Sequence, residues 1–250
     1  RLRNLIFFEY LQLANHLELQ LPNQPFVTLI CLIYSGVDWL EFQYGELLAL
    51  KRELGPGEVE ILFVANDPTE EVLDFLSENG IPFVVSPGKS SASEWYINSV
   101  YRAYNFGAKV ARGKYLLFVN SDMAYAPGFL HAMVSNARKD KYLVGKLIES
   151  GRLKPAAVAI ERNFGKSLST FSRKSFYKFA KRIASSLEES GGLYMPCIVD
   201  KESFLKLGGY PEGNILETSL ESYLKFGGYE ISQPGEIMVT GDKAFVLKFK

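Results

Sequence analysis

Five apolar residues in a row, Tyr115-Leu116-Leu117-Phe118-Val119, follow Gly113-Lys114 and stop at three polar ones, Asn120-Ser121-Asp122. Tyr125 and Pro127 come next, where a new helix is expected to begin. A short run without polar alternation, flanked by helical patterns, predicts a strand covered on both faces, as in a parallel sheet. Open α/β sheets bind ligands beyond the carboxyl ends of such strands. A carboxylate at that place, Asp122, is positioned to hold a hard cation or a ligand hydroxyl. The same residue type also caps helices and shapes turns, so both roles stay open for it.

The chain around this stretch keeps a βαβ rhythm. Residues 3–20 predict a helix that Pro22 and Pro25 break. Strands are expected at 26–33, 60–65 and 82–85, with helices at about 38–54, from Glu70 to near Gly80, and at about 93–112. Asp67-Pro68-Thr69-Glu70 supplies a helix start with a side-chain cap, Pro in the first turn and a carboxylate three residues on. In the third helix Ile97, Tyr101, Tyr104, Ala108 and Ala111 share one face. A helix over 128–139 follows the central strand, and the rhythm then weakens. Strands are expected at 156–160 and 192–199, a polar loop at 163–169, and helices at 201–207 and 216–226. Gly228–Ile231 is expected to be extended, and a helix to start at Phe245 and be cut short. Residues 173–189 form a basic amphipathic pattern, with Phe176, Phe179, Ala180, Ile183 and Leu187 opposite Arg173, Lys174, Lys181 and Arg182. That helix either packs on the sheet with a wet basic face or makes a peripheral contact with a membrane or an anionic acceptor.

Composition narrows the function. The 28 basic and 28 acidic residues cancel, which argues against a nucleic-acid binder. Cys31 and Cys197 both sit in apolar runs, too few for a disulfide scaffold, and are expected as buried free thiols. No apolar stretch is long enough to span a bilayer, and the start carries no cleavage pattern, so a cytoplasmic domain or one on the cytosolic face of a membrane is expected. There is no GxGxxG after a strand and no P-loop. His16 and His131 are the only histidines and lie in no ligand cluster, which disfavours a zinc site or a Ser-His-Asp triad. Chemistry here would run on carboxylates, backbone dipoles and a hard metal ion. Besides Asp122, Asn66-Asp67 ends a strand, and Gly241-Asp242 precedes an aromatic run; a cap or turn role remains open for each.

The segment from Ala103 through Asn105, Gly107, Ala111 and Gly113 into Tyr115-Leu116, followed by Val119-Asn-Ser-Asp122, resembles the hallmark of family-two glycosyltransferases. In that family a helix with the pattern AxNxGxxxAxG leads into a strand ending in an aspartate-X-aspartate-like motif. Val27–Ser35 resembles the family's first strand, Val64–Glu70 its second, and Gly191–Tyr210 its acceptor-side segment ending in a GG-aromatic turn. The likeness covers residues 26–130 and 191–250, and is weak over 140–190.

The resemblance implies a GT-A-type, Rossmann-like three-layer α/β/α domain with a mostly parallel central sheet. Its expected parts are an N-terminal helical extension (1–25), a nucleotide-sugar-binding half (26–130) and an acceptor-side half (131–250) truncated at its C-terminus. It implies an inverting, metal-dependent hexosyltransferase-type enzyme that uses a nucleotide-diphosphate sugar and a glycan, lipid-linked or protein acceptor. Asp122 and Asn120 would hold a divalent cation, Mn2+ or Mg2+, that neutralises the diphosphate. Cys31, Ile33, Tyr34, Asn66 and Ser121 would face the nucleotide, with Tyr34 stacking on the base, and Lys109 or Arg112 would reach the phosphates. The general base would be Asp242, favoured, or Glu217. Two departures stand out: Asn120 replaces the first Asp of the motif, and Ala65 replaces the acidic residue that commonly reads the base. The rival expectation is a non-catalytic nucleotide-sugar- or glycan-binding domain of the same fold.

Overall fold

The computed structural model describes residues 24–88, 96–151, 159–191 and 195–210, with short pieces at 216–217, 228–230, 237–239 and 245–246. Strand β1 (Val27–Ile33) is buried along its whole length. Its one polar side chain, Thr28, is satisfied by donating to Glu60 Oε2 at 2.6 Å and accepting from the Gly113 amide at 2.8 Å. Helix α1 (Val37–Lys51) leaves it through Gly36, whose φ of 90° lies where glycine is favoured. Then come β2 (Val59–Ala65), α2 (Glu70–Glu78), β3 (Phe83–Val85), α3 (Tyr96–Val110) and β4 (Tyr115–Val119). Beyond β4 lie α4 (Phe129–Asn136), β5 (Tyr142–Val144), β6 (Ile148–Glu149), β7 (Ile160–Glu161), α5 (Arg173–Ile183), β8 (Cys197–Asp200) and α6 (Lys201–Lys206). Short strands β9 (Leu216–Glu217), β10 (Gly228–Glu230) and β11 (Ile237–Val239) form an antiparallel sheet of their own, in the order β10-β11-β9.

The main sheet has the order β3-β2-β1-β4-β8-β5. β1 to β4 are mutually parallel; β8 runs antiparallel to both β4 and β5. Helices cover both faces, giving the expected three layers. One face packs Leu29, Cys31 and Ile33 against Leu40 and Leu47 of α1, Leu76 of α2 and Leu130 of α4. The other packs Ile30, Val64 and Phe118 against Tyr101, Tyr104 and Ala108 of α3 and Phe204 of α6. Cys31 and Cys197 are therefore free thiols on opposite faces of the sheet. Much of the aromatic supply goes into the second face, where the Phe204 ring lies 5.1 Å from Phe118, 5.1 Å from Tyr210 and 4.8 Å from Phe245.

The glycines and Asn105 of the hallmark segment have structural reasons. A Cβ on Gly107 would lie 2.7 Å from Val64 and 2.9 Å from Ile30, so glycine sets how closely α3 approaches the sheet. A Cβ on Gly113 would lie 2.4 Å from the Thr28 amide nitrogen, so only glycine lets the chain enter β4 beside β1. Asn105 is buried and clamps the turn after α6: its Nδ2 donates to the Tyr210 carbonyl at 2.7 Å, and its Oδ1 accepts from the Tyr210 amide at 2.9 Å. Gly209 lies against that amide, where a Cβ would meet Asn105 Oδ1 at 2.5 Å.

Several local expectations are corrected. Residues 216–217 are not helical but pair antiparallel with Ile237 and Met238, cross-strand pairing outweighing a weak helical preference. The basic helix stops at Ile183 instead of 189, because Ala184 turns extended (ψ 137°), and Leu187 is left 78 % exposed. Asp67 does not cap α2; it adopts a left-handed φ of 49°, and Thr69 stands at the cap position. Strands β5 and β6, with three and two residues, carry too short a pattern to be read from sequence. Of the strand expected over 192–199, residues 195–196 are bends, Cys197–Asp200 is strand and 192–194 lie outside the described residues; that expected over 156–160 is seen as Ile160–Glu161, with 156–158 outside the described residues. The N-terminal helix over 3–20 also lies outside them. No helix among the described residues is long and apolar enough to cross a membrane.

Candidate functional site

β1 connects to α1 on one face of the sheet, while α3 returns from β3 across the other face into β4. The strand order thus reverses between β1 and β4, and a crevice opens beyond their carboxyl ends, the usual ligand position in such sheets. Asn120, Ser121 and Asp122 leave β4 at this mouth, with Tyr34 leaving β1 beside them. Asn120 and Asp122 are exposed, and Ser121 and Tyr34 are half-buried. Beneath them the single hydroxyl proton of Tyr104 is shared between two acceptors, the Val119 carbonyl and Asn120 Oδ1, each 2.9 Å from the phenol oxygen. Burial pushes the Tyr104 phenol well above its ordinary range, so this donor keeps its proton and Asn120 stays oriented. Asp122 takes no hydrogen bond or ion pair from any described residue. Its charge reaches inward: burial first, then Asp122, raises the Cys31 thiol well above its usual value.

The remaining predicted residues divide clearly. Cys31 and Ile33 are fully buried in the layer shared with α1, and present no side chain to the crevice. Asn66, at the end of β2, is also fully buried; its amide nitrogen donates to the Ile33 carbonyl at 2.9 Å and its Nδ2 to Ser99 at 3.4 Å. Its Oδ1 has no partner among the described residues, an orphaned acceptor next to the switch point. Arg112 is a correction. It follows α3, which runs back along the sheet, and so sits at the amino end of β4, about 16 Å of strand away from Asp122. There its Nε and backbone amide both bind Glu60, at 2.7 and 2.8 Å. Lys109, exposed in the last turn of α3, belongs to the same far end. Glu217 lies on β9, and Asp242 falls outside the described residues.

A cavity of about 450 Å³ opens beside Asp122. Trp39 and Phe42 of α1, Phe129 of α4, and Phe164, Phe171 and Phe176 from the 164–176 stretch line it, with Lys146 and Lys166 among its polar groups. Its residues come from five separated stretches of the chain, so no local periodicity could have announced it. One buried carboxylate ties two of its walls together. Glu46 accepts from the Tyr125 amide at 3.0 Å, just after Asp122, and also binds the Arg173 guanidinium at the start of α5.

The mouth of the crevice suits a hard cation in a particular way. Among the described residues no cluster of three His, Cys, Asp or Glu exists, so an all-protein cage is excluded for them. A carboxylate and an amide oxygen fit a cation of the magnesium type, which completes its shell with substrate phosphates and water.

A mostly parallel sheet wrapped on both faces, with its ligand edge at the β1/β4 reversal, defines a GT-A-like Rossmann domain. The chain belongs to glycosyl transferase family 2, whose profile matches residues 47–180. The match takes in residues 140–180, where the sequence likeness looked weakest, and does not extend over 191–250. No curated protein sequence matches. Among solved structures, residues 1–349 of TarS from S. aureus align with 19% identity, covering 74% of this chain and 50% of that one, at a TM-score of 0.44. The mannosyltransferase PcManGT from Pyrobaculum calidifontis, in complex with GDP-Man and Mn2+, aligns with 14% identity, 82% and 55% coverage, and a TM-score of 0.44. TarS with UDP-GlcNAc gives 16%, 74%, 48% and 0.41. The chain spans about half the length of these structures.

Proposed function

We propose that this domain transfers a sugar with inversion from a nucleotide-diphosphate donor to an acceptor hydroxyl, the donor lying in the crevice between β1 and β4. The observation that carries the reading is the pairing of a free, exposed Asp122 with an Asn120 held in place by Tyr104, at the reversal point of a family-two domain. Asp122 and Asn120 would hold Mn2+ or Mg2+, whose chemistry is to neutralise the departing diphosphate. Tyr34 offers a flat ring at the crevice edge for the base, and the orphaned Asn66 Oδ1 an acceptor for a base N–H. Asp242, ahead of Glu217, takes the acceptor proton; an acceptor-side carboxylate has to stand opposite the leaving group for inversion. The acceptor is a glycan, a lipid-linked molecule or a protein, and no nucleic acid.

The test is a thermal-shift screen of UDP-, GDP- and dTDP-sugars with and without manganese, on the native chain and on Asp122→Ala. One donor family should stabilise the native chain only with metal, by an amount that grows with ligand concentration. Asp122→Ala should keep its own melting temperature and lose that increment. The absence of a shift with every donor, or an undiminished shift in the variant, would overturn the assignment. Donor binding without transfer or hydrolysis on a broad acceptor panel would make the domain a binding module instead.

A further inference from the structure

The carboxyl ends of three strands lie side by side on the β1 flank of the crevice. Ile33 pairs with Ala65 and Ala65 with Val85, so Tyr34, Asn66 and Ser86 leave β1, β2 and β3 as neighbours. Past Asn66 the backbone turns at Asp67, whose φ of 49° is left-handed. Glycine would adopt that conformation with less strain, and aspartate is one of the few other residues that tolerate it. What aspartate adds is a pair of acceptor oxygens. Its Oδ1 lies over Gly88, 3.0 Å from where a Cβ would stand. Asp67 is exposed, and its carboxylate takes no hydrogen bond or ion pair from any described residue.

This corner is rich in open acceptors. Asn66 is fully buried, and its Oδ1 has no partner among the described residues. Donors close to it are committed: the Asn66 amide to the Ile33 carbonyl, Asn66 Nδ2 to Ser99, and the Gly88 amide to Ser86 Oγ at 3.3 Å. Arg102 Nη1 donates to the Gly88 carbonyl at 3.0 Å. Pro68 and Pro87 carry no amide proton at all. A bare carboxylate and an unpaired buried acceptor are both satisfied by a ligand that brings N–H groups.

Nucleotide bases differ in what they bring. Uracil and thymine present one N–H between two carbonyl oxygens, and those oxygens would face acceptors here. Adenine and cytosine present an amino group beside an acceptor ring nitrogen. Guanine presents N1–H and the 2-amino group next to each other, a donor pair that one carboxylate takes through two parallel bonds. We propose that Asp67 selects guanine, so that the donor nucleotide is GDP, with Asn66 Oδ1 taking the remaining N–H of the 2-amino group. The assignment rests on the transferase reading above and names its nucleotide. Ala65, fully buried within β2, offers the base no polar group, and the carboxylate two residues on supplies one from the turn.

Calorimetric titration in the presence of Mn2+ compares GDP with UDP, dTDP, ADP and inosine diphosphate, which is GDP without the 2-amino group. GDP should bind about tenfold or more tighter than each of them, the discrimination a bidentate base contact provides. Asp67→Asn keeps a residue that tolerates the left-handed turn and should lose this preference. It should gain about tenfold or more in affinity for xanthosine diphosphate, in which a carbonyl replaces the amino group, because an amide can donate where a carboxylate cannot. A purely structural role for Asp67 would give no such rescue.

Binding of UDP, dTDP, ADP or inosine diphosphate as tight as that of GDP overturns the assignment, and so does an unchanged GDP preference in a folded Asp67→Asn. The nucleotide series on the native chain decides the question even where the variant fails to fold. Metal-dependent binding of another diphosphate in place of GDP sinks the guanine assignment alone. Absence of binding by every nucleotide sinks the transferase reading with it.

Discussion

The Asn105 clamp lends itself to a quantitative test. Asn105→Ala removes a donor to the Tyr210 carbonyl and an acceptor for the Tyr210 amide, in a place where Asn105 is only 4% exposed. Each orphaned buried group costs roughly 1–3 kcal/mol, so the pair should cost about 4 kcal/mol, a little less if water enters the space. For a chain of this size about 1 kcal/mol corresponds to roughly 2–4 °C, which predicts a drop of about 8–16 °C in melting temperature. Asn105→Asp separates the two bonds. The carboxylate can still accept from the amide but meets the carbonyl with negative charge, and protonation would restore a donor. The destabilisation of Asn105→Asp should therefore shrink between pH 7 and pH 5, while that of Asn105→Ala stays constant. Differential scanning calorimetry at the two pH values measures both. A fall of under 2 °C for Asn105→Ala, or identical pH behaviour of the two variants, would refute the clamp.

Burial pushes the phenols of Tyr104, Tyr125 and Tyr210 and the thiol of Cys31 well above their ordinary values. The unfolded chain loses these protons near pH 8.5 for the thiol and 10 for the phenols, while the folded chain keeps them, so stability is full below this window and is lost as pH rises through it. Above pH 10 the three phenols together should steepen the loss to about 4 kcal/mol per pH unit, and a flat urea midpoint from pH 8 to 10.5 would contradict their burial. Arg112→Gln should lower the melting temperature by only about 1–3 °C and leave metal-dependent donor stabilisation unchanged; loss of donor response would return Arg112 to the phosphate site.

Legibility from sequence followed the range of the interactions. β1, β2 and β4 are apolar throughout because they lie between two helical layers, and such runs are visible without any knowledge of partners. Gly107, Gly113 and Asn105 were recognisable as a pattern, but their purposes became evident only with Val64, Thr28 and Tyr210 beside them. Arg112, which the family resemblance placed at the phosphates, lies at the other end of β4, a full strand away from Asp122, because α3 runs back along the sheet before that strand begins. The 450 Å³ cavity was invisible for a related reason: α1, α4 and the 164–176 stretch meet there only through tertiary packing.

Glu46 gives the molecule a mechanical link. Rooted in α1 at 3% exposure, it grips the backbone three residues past Asp122 with one oxygen and the first residue of α5 with the other. Any outward shift of that helix must therefore pull on the same carboxylate that steadies the loop after Asp122. The wall of the cavity and the mouth of the crevice then share a tether, and swapping that glutamate for glutamine would slacken it.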